Sequence, residues 1–499
     1  MKTFRKNFVR YTDAGLPILY VDTFEGDKAK KIIRELCKEH HRGVIEWSLA
    51  GAFDFTDGQN IALPKTDLAS TLRLLIDDDN LDNKTLILQD AHFSLDKPET
   101  ISALKVVAQG ITGGNYDCTL CIISPLVPLL KELENYTTIL ELDPLTEKNI
   151  EEIVNDFIKT QGIDPPERDL LNKIITRLKG LSQTEIYNIL SLAVSEDGML
   201  TSRDLSNILE QKQQIVRKSG ILEMVRVKET MNDIGGLENL KDWLRRKAEI
   251  FKQIKKAQDF GVDIPKGVLI AGMPGCGKSL TAKAAAKAFD VPLLRLDMGR
   301  LMGKYVGESE GNMRRAIKIT EASSPCVLWI DELEKAFAGI GGNGGGSEVT
   351  TRLFGNFLTW MQEKDSLAFV VATANKINAL PPELLRKGRF DETFYVDLPT
   401  RTERKKILEI HIRKRRPQDL SRIDFDKLAD KTGGYCGADL EGVVREAIES
   451  AFFHKKPAIT TDDIIEAIKN THSLSEVMKD SIDGMKKIYE NLKLKSASN

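Results

Sequence analysis

The sequence predicts an α/β fold in which a parallel sheet is followed by a helical domain and preceded by a second, fainter α/β pattern. Three observations support this prediction. A strand, a glycine-rich loop and a helix follow one another over residues 267–289. Short apolar runs typical of buried strands alternate with helix-prone segments in both halves of the chain. Helical patterns then continue over residues 401–472.

The chain of 499 residues is too long for one ordinary domain. We expect five regions in chain order. They are an α/β domain over 1–205, a linker helix over 206–228, a large α/β domain over 229–400, a helical lid over 401–472 and a tail helix over 473–499.

Composition and charge argue against several classes of protein. The formal net charge of -2 disfavours a protein that mainly coats nucleic acid. No apolar run approaches the roughly 18 to 20 residues that span a bilayer, and the basic segment Met1–Phe8 lacks the apolar core of a secretory signal. Six scattered cysteines fit a reducing compartment. We therefore expect no nucleic-acid or membrane partner, and a location in the cytoplasm.

The first half has the strand–helix order of a nucleotide-binding domain without its chemistry. A strand is predicted over Leu16–Val21 and a helix over Asp27–Glu39, with no Gly-Lys-Ser between them. The next strand, Thr85–Asp90, ends in one acid that no glutamate follows, and further strands are predicted over Leu120–Ser124 and Leu140–Leu145. Two interpretations stay open: a degenerate ATPase-like domain that serves structure or partner binding, and an unrelated α/β domain.

The segments that follow are mostly helical in pattern. Helices are predicted over 147–160 and 168–193, and the charged segment Ser202–Val227 predicts the linker helix. Cys118 and Cys121 form a C-x-x-C inside an apolar run, without a second pair nearby, which favours a buried strand over a metal or redox site.

The second half opens on two glycine-containing motifs. Asp233-Ile234-Gly235-Gly236 permits a tight approach of the backbone, and its distance from the later glycine loop suits a flap over a base. Further along, Tyr305 and Val306 lie between Gly303 and Gly307. From the residues alone, Tyr305 either packs in the core or stands on a loop that grips a partner.

The glycine-rich loop is Gly272-Met273-Pro274-Gly275-Cys276-Gly277-Lys278-Ser279, which fits G-x-x-x-x-G-K-[ST] at every fixed position. A buried strand over Gly267–Ala271 precedes it, and an alanine-rich helix over Leu280–Phe289 follows. Backbone N–H groups and the helix N-terminus favour phosphate here. We expect Lys278 to reach the β- and γ-phosphates and Ser279 to bind Mg²⁺. The alternative is a glycine turn that happens to precede a lysine.

Two adjacent acids follow the next buried strand, Pro325–Ile330. Asp331 is placed to hold Mg²⁺, usually through water, and Glu332 to act as general base on an attacking water molecule. The alternative is an acid pair on the surface.

Three further polar residues come after the strand Leu367–Thr373. Asn375 is placed to sense the γ-phosphate or to orient water. Arg386 and Arg389 lie three residues apart, and because Lys278 already serves this chain's loop they suit a neighbouring subunit's nucleotide. The alternative for the two arginines is surface salt bridging.

The remaining segments are predicted to be helical. The lid would contain helices over Arg401–Arg413, Asp439–Phe453 and Ile464–Lys469, the last capped at Thr461. The segment from Ser475 to Asn499 predicts one amphipathic helix with a frayed, lysine-rich end.

Residues 229–472 resemble the AAA family of ATPases. The resemblance rests on ordered motifs, which are Asp233–Gly236, Gly272–Ser279, Lys304–Gly307, Asp331–Glu332, Asn375, Arg386 with Arg389, His411 and Gly433–Leu440. It implies a P-loop NTPase sheet of order 5-1-4-3-2 with a helical lid, and hydrolysis of ATP with Mg²⁺. The whole chain is similar to plastid and cyanobacterial AAA proteins of unassigned role with a degenerate first half.

The resemblance also implies roles for matching residues. It places Ile234, His411 and Ala438 near adenine and ribose. The other implied nucleotide contacts are Gly272, Met273, Pro274, Gly275, Cys276, Gly277, Lys278, Ser279 and Leu280. Tyr305 and Val306 would face a central pore, and Arg386 and Arg389 would reach the next subunit of a homo-oligomeric ring, usually a hexamer. A glycine-rich segment over 339–347 departs from the charged second pore loop of protein unfoldases.

We therefore expect an ATP-driven ring motor that threads or remodels a protein substrate. Two alternatives are kept: a motor that activates a partner enzyme without threading it, and a nucleotide-gated assembly scaffold with slow turnover. The sequence has no H-E-x-x-H, which excludes a fused zinc protease of that type. The first half lacks Gly-Lys-Ser, so we expect it not to bind nucleotide.

Overall fold

The computed structural model describes residues 2–23, 25–56, 61–78, 80–124, 131–143, 145–195, 197–218, 220–301, 308–337, 346–386 and 388–499. The chain forms two compact units. The first contains Met1–Gly162 and Ser182–Asn188, and the second contains Ile163–Leu181 and Ile189–Asn499.

The first unit is an α/β domain. Its helices are α1 (Lys2–Asp13), α2 (Gly26–Glu39), α3 (Leu68–Asp77), α4 (Pro98–Thr112) and α5 (Glu147–Gln161). Its strands are β1 (Ile18–Asp22), β2 (Gly43–Ser48), β3 (Gly51–Asp54), β4 (Ile61–Ala62), β5 (Lys84–Gln89), β6 (Cys118–Ser124) and β7 (Thr137–Glu141). In the described part of the chain they form one sheet of order β4-β3-β2-β5-β6-β1-β7.

This sheet repeats the strand order expected for the second half. Five strands, β1, β2, β5, β6 and β7, pair in parallel, and β3 and β4 extend the sheet as an antiparallel hairpin. Counted 1 to 5 in chain order, the parallel strands lie in the order 5-1-4-3-2. Residues of β1 alternate between two helical layers: Ile18 and Tyr20 pack in one core with α3 and α4, and Leu19 and Val21 pack in the other with α1 and α2.

Two elements of the first half differ from their sequence predictions. The strand predicted over Leu140–Leu145 instead spans Thr137–Glu141, and just beyond it the carboxylate of Asp143 accepts the Thr3 N–H at 3.0 Å. The helix predicted over 168–193 is broken into two at Gly180, which has a left-handed φ of 84°. Cys118 and Cys121 lie in the buried strand β6, as predicted.

The second unit contains a second α/β sheet, a helical lid and the C-terminal segment. Its helices are α6 (Arg168–Leu178), α7 (Gln183–Val194, shared with the first unit), α8 (Asp204–Lys218), α9 (Glu238–Lys252), α10 (Ile254–Asp259), α11 (Lys278–Phe289), α12 (Met298–Leu301), α13 (Glu308–Ala322), α14 (Gly346–Glu363), α15 (Arg401–Arg415), α16 (Phe425–Lys431), α17 (Gly437–Phe453), α18 (Thr461–Lys469), α19 (Leu474–Val477) and α20 (Lys479–Asn491). Its strands are β8 (Leu222–Val225), β9 (Gly267–Gly272), β10 (Leu293–Leu296), β11 (Cys326–Ile330), β12 (Ala368–Ala374), β13 (Glu392–Val396) and β14 (Lys495–Ser496).

Among the residues described, the strands of this sheet lie in the order β14-β13-β9-β12-β11-β10-β8. Counted 1 to 5, the parallel strands β9 to β13 have the order 5-1-4-3-2, which confirms the order implied by the resemblance. Strand β8 adds to one edge antiparallel to β10, and β14 adds to the other edge parallel to β13. The glycine loop follows β9 at the centre of the sheet, and the two acids follow β11.

The linker predicted as a helix over 206–228 is only partly helical. Helix α8 ends at Lys218, and Leu222–Val225 forms β8. The reason is a period of two: Leu222 and Met224 are buried, whereas Glu223 between them is exposed.

The tail predicted as one frayed helix is instead two helices and a strand. Ala497 is fully buried, and its N–H donates to the Tyr395 carbonyl at 2.9 Å. Asn239 of α9 donates to the carbonyls of Ser496 and Ser498 at 3.3 and 2.7 Å. The lysine-rich end is therefore ordered by main-chain hydrogen bonds that a helical pattern does not reveal.

The lid packs helices α15 to α18 around their own apolar core. Leu408, Leu440 and Val443 are fully buried in it. Thr400 and Thr460 close capping boxes at the starts of α15 and α18, so the cap of the last lid helix is Thr460 rather than the predicted Thr461.

Candidate active site

The glycine loop joins β9 to α11 and lies against the lid. A Cβ atom on Gly272 would stand 2.1 Å from the Val396 carbonyl oxygen, so only glycine fits there. At Gly275, φ is 72° and a Cβ atom would meet the Cys436 sulfur at 2.7 Å. The Gly275 carbonyl accepts the Ala438 N–H at 3.0 Å. These contacts bring the loop to the N-terminus of lid helix α17.

Lys278 is buried at the start of α11, with 6% of its surface exposed. Its Nζ donates to the carbonyls of Gly272 and Met273 at 2.8 and 2.7 Å. Burial lowers the pKa of Lys278 to about 8, against the opposing effects of Cys276 and of the acids after β11. Among the residues that the structure describes, the hydrogen-bond partners of the ammonium group are thus two neutral carbonyls, and an anionic ligand in the loop would offer it a stronger partner.

Ser279 and Asp331 meet across the loop. The Ser279 hydroxyl donates to Asp331 Oδ1 at 3.2 Å, and the Thr373 hydroxyl donates to the same oxygen at 2.6 Å. A serine hydroxyl and a carboxylate are the hard oxygen ligands that Mg²⁺ takes together with phosphate oxygens. The residues present therefore fit the metal expected from the sequence.

Glu332 lies beside Asn375. Its Oε1 accepts from Asn375 Nδ2 at 3.3 Å, and its other carboxylate oxygen pairs with Lys335. The Glu332 N–H donates to the Thr373 hydroxyl at 3.1 Å. Its φ of 50° is left-handed, which is rare for a residue with a side chain. The site therefore fixes both the backbone and the carboxylate of Glu332.

The two arginines are placed apart from these contacts. Arg386 is exposed. Arg389 is half-buried, and its guanidinium donates to the carbonyl of Glu383. In the parts of the chain that the structure describes, neither arginine pairs with an acid or with the glycine loop.

The flap, Asp233–Gly236, precedes α9 and is joined to lid helix α15 by an ion pair and a hydrogen bond. Asp233 pairs with Lys414 at 2.7 Å, and although burial opposes it, hydrogen bonds from Lys414 and Thr230 lower the pKa of Asp233 to about 2. The Leu237 N–H donates to Glu403 Oε1 at 3.0 Å. Ile234 is buried in the core between flap and sheet.

His411 follows on the same lid helix. Its Nδ1 lies 3.8 Å from Glu441 Oε1 and 3.2 Å from Arg415 Nη1. Burial lowers the pKa of His411, with Glu441 acting in the opposite direction. This shift favours the neutral form of the imidazole.

Two predicted features lie outside the described residues. They are the loop with Tyr305 and Val306, and most of the glycine-rich segment over 339–347.

Two polar residues of the site were not singled out from the sequence. Thr373 is a hydroxyl at the end of an apolar strand, two residues before Asn375, and that position was the available signal. Glu403 belongs to a T-x-x-E pattern that predicts a capping box at Thr400. Nothing in that pattern predicts its reach to Leu237.

The sequence of this chain is similar to those of known proteins. The profile described as ATPase family associated with various cellular activities (AAA) matches residues 268–398, and an AAA+ lid domain profile matches residues 422–466. A relative from Guillardia theta named "Uncharacterized AAA domain-containing protein ycf46" is 35% identical over 501 residues, or 99% of this chain and 97% of the relative. The chain belongs to the AAA family of ATPases. As an AAA ATPase, it hydrolyses ATP to ADP and phosphate.

The first half of this AAA ATPase also has a match. Profiles described as SpoVK-like AAA ATPase, N-terminal domain and second domain, match residues 4–142 and 148–219. Together with the repeated 5-1-4-3-2 strand order, this confirms an AAA-like domain that lacks the phosphate loop.

Other relatives cover different shares of the AAA ATPase. A protein of the same ycf46 name from Pyropia yezoensis is 36% identical over 475 residues, or 94% of each chain. The "ATP-dependent zinc metalloprotease FtsH 2" of Petrotoga mobilis is 36% identical over 247 residues, which are 49% of this chain and 39% of that relative.

Within the described residues, no helix is long and apolar enough to cross a membrane.

Proposed function

We propose that this AAA ATPase uses Mg²⁺ and works as a homo-oligomeric ring, most simply a hexamer, that remodels or threads a protein substrate. One observation carries the proposal. Hydrogen bonds bring Ser279, Asp331 and Glu332 together beside the loop, whereas Arg386 is exposed and outside these contacts. Because neither Arg386 nor Arg389 contacts these residues in the described part of the chain, we propose that an arginine of a neighbouring subunit joins Lys278 at the γ-phosphate, as in ATPases that a neighbouring subunit completes.

The residues of one chain take the following roles. Lys278 exchanges its two carbonyl partners for the β- and γ-phosphates, and Ser279 and Asp331 hold Mg²⁺. When bound, Mg²⁺ supplies charge neutralisation on the phosphate oxygens. Glu332 accepts a proton from the attacking water molecule. At the same time the water oxygen forms a bond to the γ-phosphorus, and the bond between that phosphorus and the leaving β-phosphate oxygen breaks. Asn375 holds the Glu332 carboxylate in position.

The base and ribose lie on the lid side in this proposal. Ile234 contributes an apolar surface, the neutral imidazole of His411 offers a hydrogen bond, and Ala438 is held against the loop by its N–H bond to Gly275. Main-chain N–H groups of residues 272–280, apart from Pro274, which has none, take the phosphates.

The proposal of a protein substrate is argued from the names of relatives of this chain. The FtsH relatives are named ATP-dependent proteases, so an AAA segment similar to this one is linked to action on polypeptides. This chain has no H-E-x-x-H, so we propose remodelling or threading without proteolysis, with Tyr305 and Val306 at a central pore. The alternatives stay a nucleotide-gated scaffold with slow turnover and a non-threading activator of a partner enzyme.

The domain limits near 205, 228, 400 and 472 belong to the same proposal.

The six cysteines are free thiols. They support a reducing compartment, which we propose to be the cytoplasm, or the plastid stroma for a plastid-encoded chain.

A mixing experiment tests whether one subunit completes the site of the next. Glu332→Gln removes the base and keeps the arginines, and Arg386→Ala removes one arginine and keeps the base. Each variant alone is expected to lose most ATPase activity. Because a site between subunits can combine the base of one variant with the arginine of the other, a mixture reassembled from monomers should regain activity. Steady-state phosphate release measures this, with mass photometry of the rings.

Arg445→Ala is the matched control, because Arg445 is an exposed lid arginine whose ion pair lies within α17. It should behave as wild type alone and in mixtures. If both test variants are inactive and every mixed ring stays inactive, Arg386 does not act between subunits. An Arg386→Ala variant as active as wild type would remove the arginine from the mechanism.

A further inference from the structure

We propose that Thr373 is a positioning residue of the hydrolytic site, whose single hydroxyl aligns the metal-binding Asp331 with the general base Glu332. This inference rests on the proposed roles of these two acids. It concerns a residue that lies in the sheet beneath the site rather than on the glycine loop.

The position of Thr373 follows from the register of two strands. Strands β11 and β12 are parallel, and their last paired residues are Ile330 and Ala372. Asp331 is the first residue after β11, and Thr373 is the next residue of β12. The two strands therefore continue to meet through side chains just beyond the paired backbone, where the Thr373 hydroxyl donates to Asp331 Oδ1 at 2.6 Å.

The same hydroxyl also acts as an acceptor. It takes the Glu332 N–H at 3.1 Å. A threonine hydroxyl has one hydrogen to donate and two lone pairs, so it can serve both acids at once. Thr373 is 1% exposed, and a buried hydroxyl with two short, directed contacts is held in a fixed orientation.

Glu332 needs such support because its backbone is left-handed. A residue with a side chain keeps this conformation only when its surroundings hold it there. Thr373 fixes the N–H of Glu332, and Asn375 fixes its carboxylate at 3.3 Å. Thr373 is the next-to-last residue of β12 and Asn375 is the first residue after it, so the end of one strand holds both the N–H and the carboxylate of the base.

Asp331 is oriented by the same contact. Its Oδ1 accepts from both Thr373 and Ser279. In the part of the chain that the structure describes, no hydrogen bond reaches Oδ2, which leaves that oxygen for the metal or its water. Outer groups that orient a metal-binding carboxylate commonly change metal affinity or activity by about 10- to 100-fold when they are removed.

Thr373→Val tests the role, because valine keeps the shape and strand preference of threonine and removes the hydroxyl. We expect kcat to fall about 10- to 100-fold, with a much smaller change in the KM for ATP. The Mg²⁺ concentration that gives half-maximal binding of a fluorescent ADP analogue should rise by about 10-fold. Thr373→Ser keeps the hydroxyl and should restore both values to near wild type.

Thr320→Val is the matched control, since Thr320 is a buried threonine whose hydroxyl only caps a carbonyl of its own helix. It should leave kcat and the Mg²⁺ requirement unchanged. Thermal unfolding of every variant checks the fold. If Thr373→Val does not fold, Thr373→Cys replaces it, because a thiol has similar volume and is a poor hydrogen-bond partner.

The outcomes separate this inference from the proposed site. A folded Val or Cys variant with wild-type kcat and Mg²⁺ requirement overturns the role of Thr373, provided that Glu332→Gln is inactive in the same assay. If Glu332→Gln is as active as wild type, the assignment of the base itself fails. A serine variant as impaired as the valine variant would also overturn the role, because the hydroxyl would then not be the determining group.

Discussion

The ammonium group of Lys278 gives a prediction at the scale of one residue. Burial lowers its pKa from the ordinary value of 10.5 to about 8 in the nucleotide-free chain. A phosphate partner favours the charged form and raises the pKa again. Between pH 8 and 10 the free chain therefore holds fewer protons at this site than its ATP complex, so ATP binding takes up a proton there.

Calorimetric titration of ATP in two buffers of different ionisation enthalpy measures that uptake. At pH 8.5 a group with a pKa of about 8 is about 75% unprotonated, so up to ~0.75 proton per ATP should be taken up, against ~0.1 at pH 7. Lys287→Met, on the exposed side of the same helix, should keep the buffer dependence. Heat at pH 8.5 that does not depend on the buffer would contradict the prediction.

Single residues of the site were predictable to the extent that one short segment contains them. Lys278 and Ser279 belong to one motif, and Asp331 and Glu332 end one strand. Thr373 was not predicted, because its contact with Asp331 joins positions 42 residues apart. No local pattern encodes such a contact.

Among the elements, the junction of flap, lid and tail gives the sharpest prediction. Glu403 is 8% exposed, and its carboxylate accepts from the N–H groups of Leu237 and Thr400 and from the Ser498 hydroxyl. Three elements therefore share one buried acid. Its loss would leave buried donors without a partner, and each such group costs roughly 1–3 kcal/mol.

We expect Glu403→Ala to lower the free energy of unfolding by about 1–3 kcal/mol or more and to raise the KM for ATP more than it lowers kcat. The KM should change because the flap with Ile234 is freed, whereas the acids at the end of β11 are not touched. Chemical denaturation and ATPase kinetics measure the two effects. Glu409→Ala, an exposed change on the same helix, is the control. A KM equal to wild type would separate the flap from nucleotide binding.

Helices and strands could be predicted where the segment was long enough for its hydrophobic periodicity to be recognised in the sequence. The central strands of both sheets and the main lid helices lie close to their predicted ranges. Strand β14 was missed because Lys495 and Ser496 are too few to show a period. It is ordered in part by a hydrogen bond from the side chain of Asn239, 257 residues earlier, to the Ser496 carbonyl.

At the scale of the whole molecule, two domains share the order of their five parallel strands and differ at the loop that follows the first of these strands. In the first, β1 passes to α2 through a short connection that contains Glu25. Glu25 Oε2 pairs with Lys28 at 3.0 Å, and Oε1 accepts the Gln183 N–H at 3.0 Å. An acid thus takes the favourable position at the helix N-terminus and would repel phosphate there.

The first domain is therefore expected not to bind nucleotide. In the full-length chain, Lys278→Ala should abolish binding of a fluorescent ATP analogue, and no second class of sites should remain at high analogue concentration. Glu25→Ala added to this variant should not create a site, because a complete glycine loop is still missing. Residual saturable binding of about one analogue per chain in Lys278→Ala would contradict the prediction.

Strand β14 finally bears on aggregation. It lies along β13 with only two residues, so the five-residue β13 is not the border of its sheet. The first sheet ends in the same way, in the two-residue β4. A border strand this short presents few free N–H and carbonyl groups to a strand of another molecule. At these two edges, pairing with a strand of another molecule is therefore disfavoured. Contacts between copies at these edges would form through side chains and loops instead.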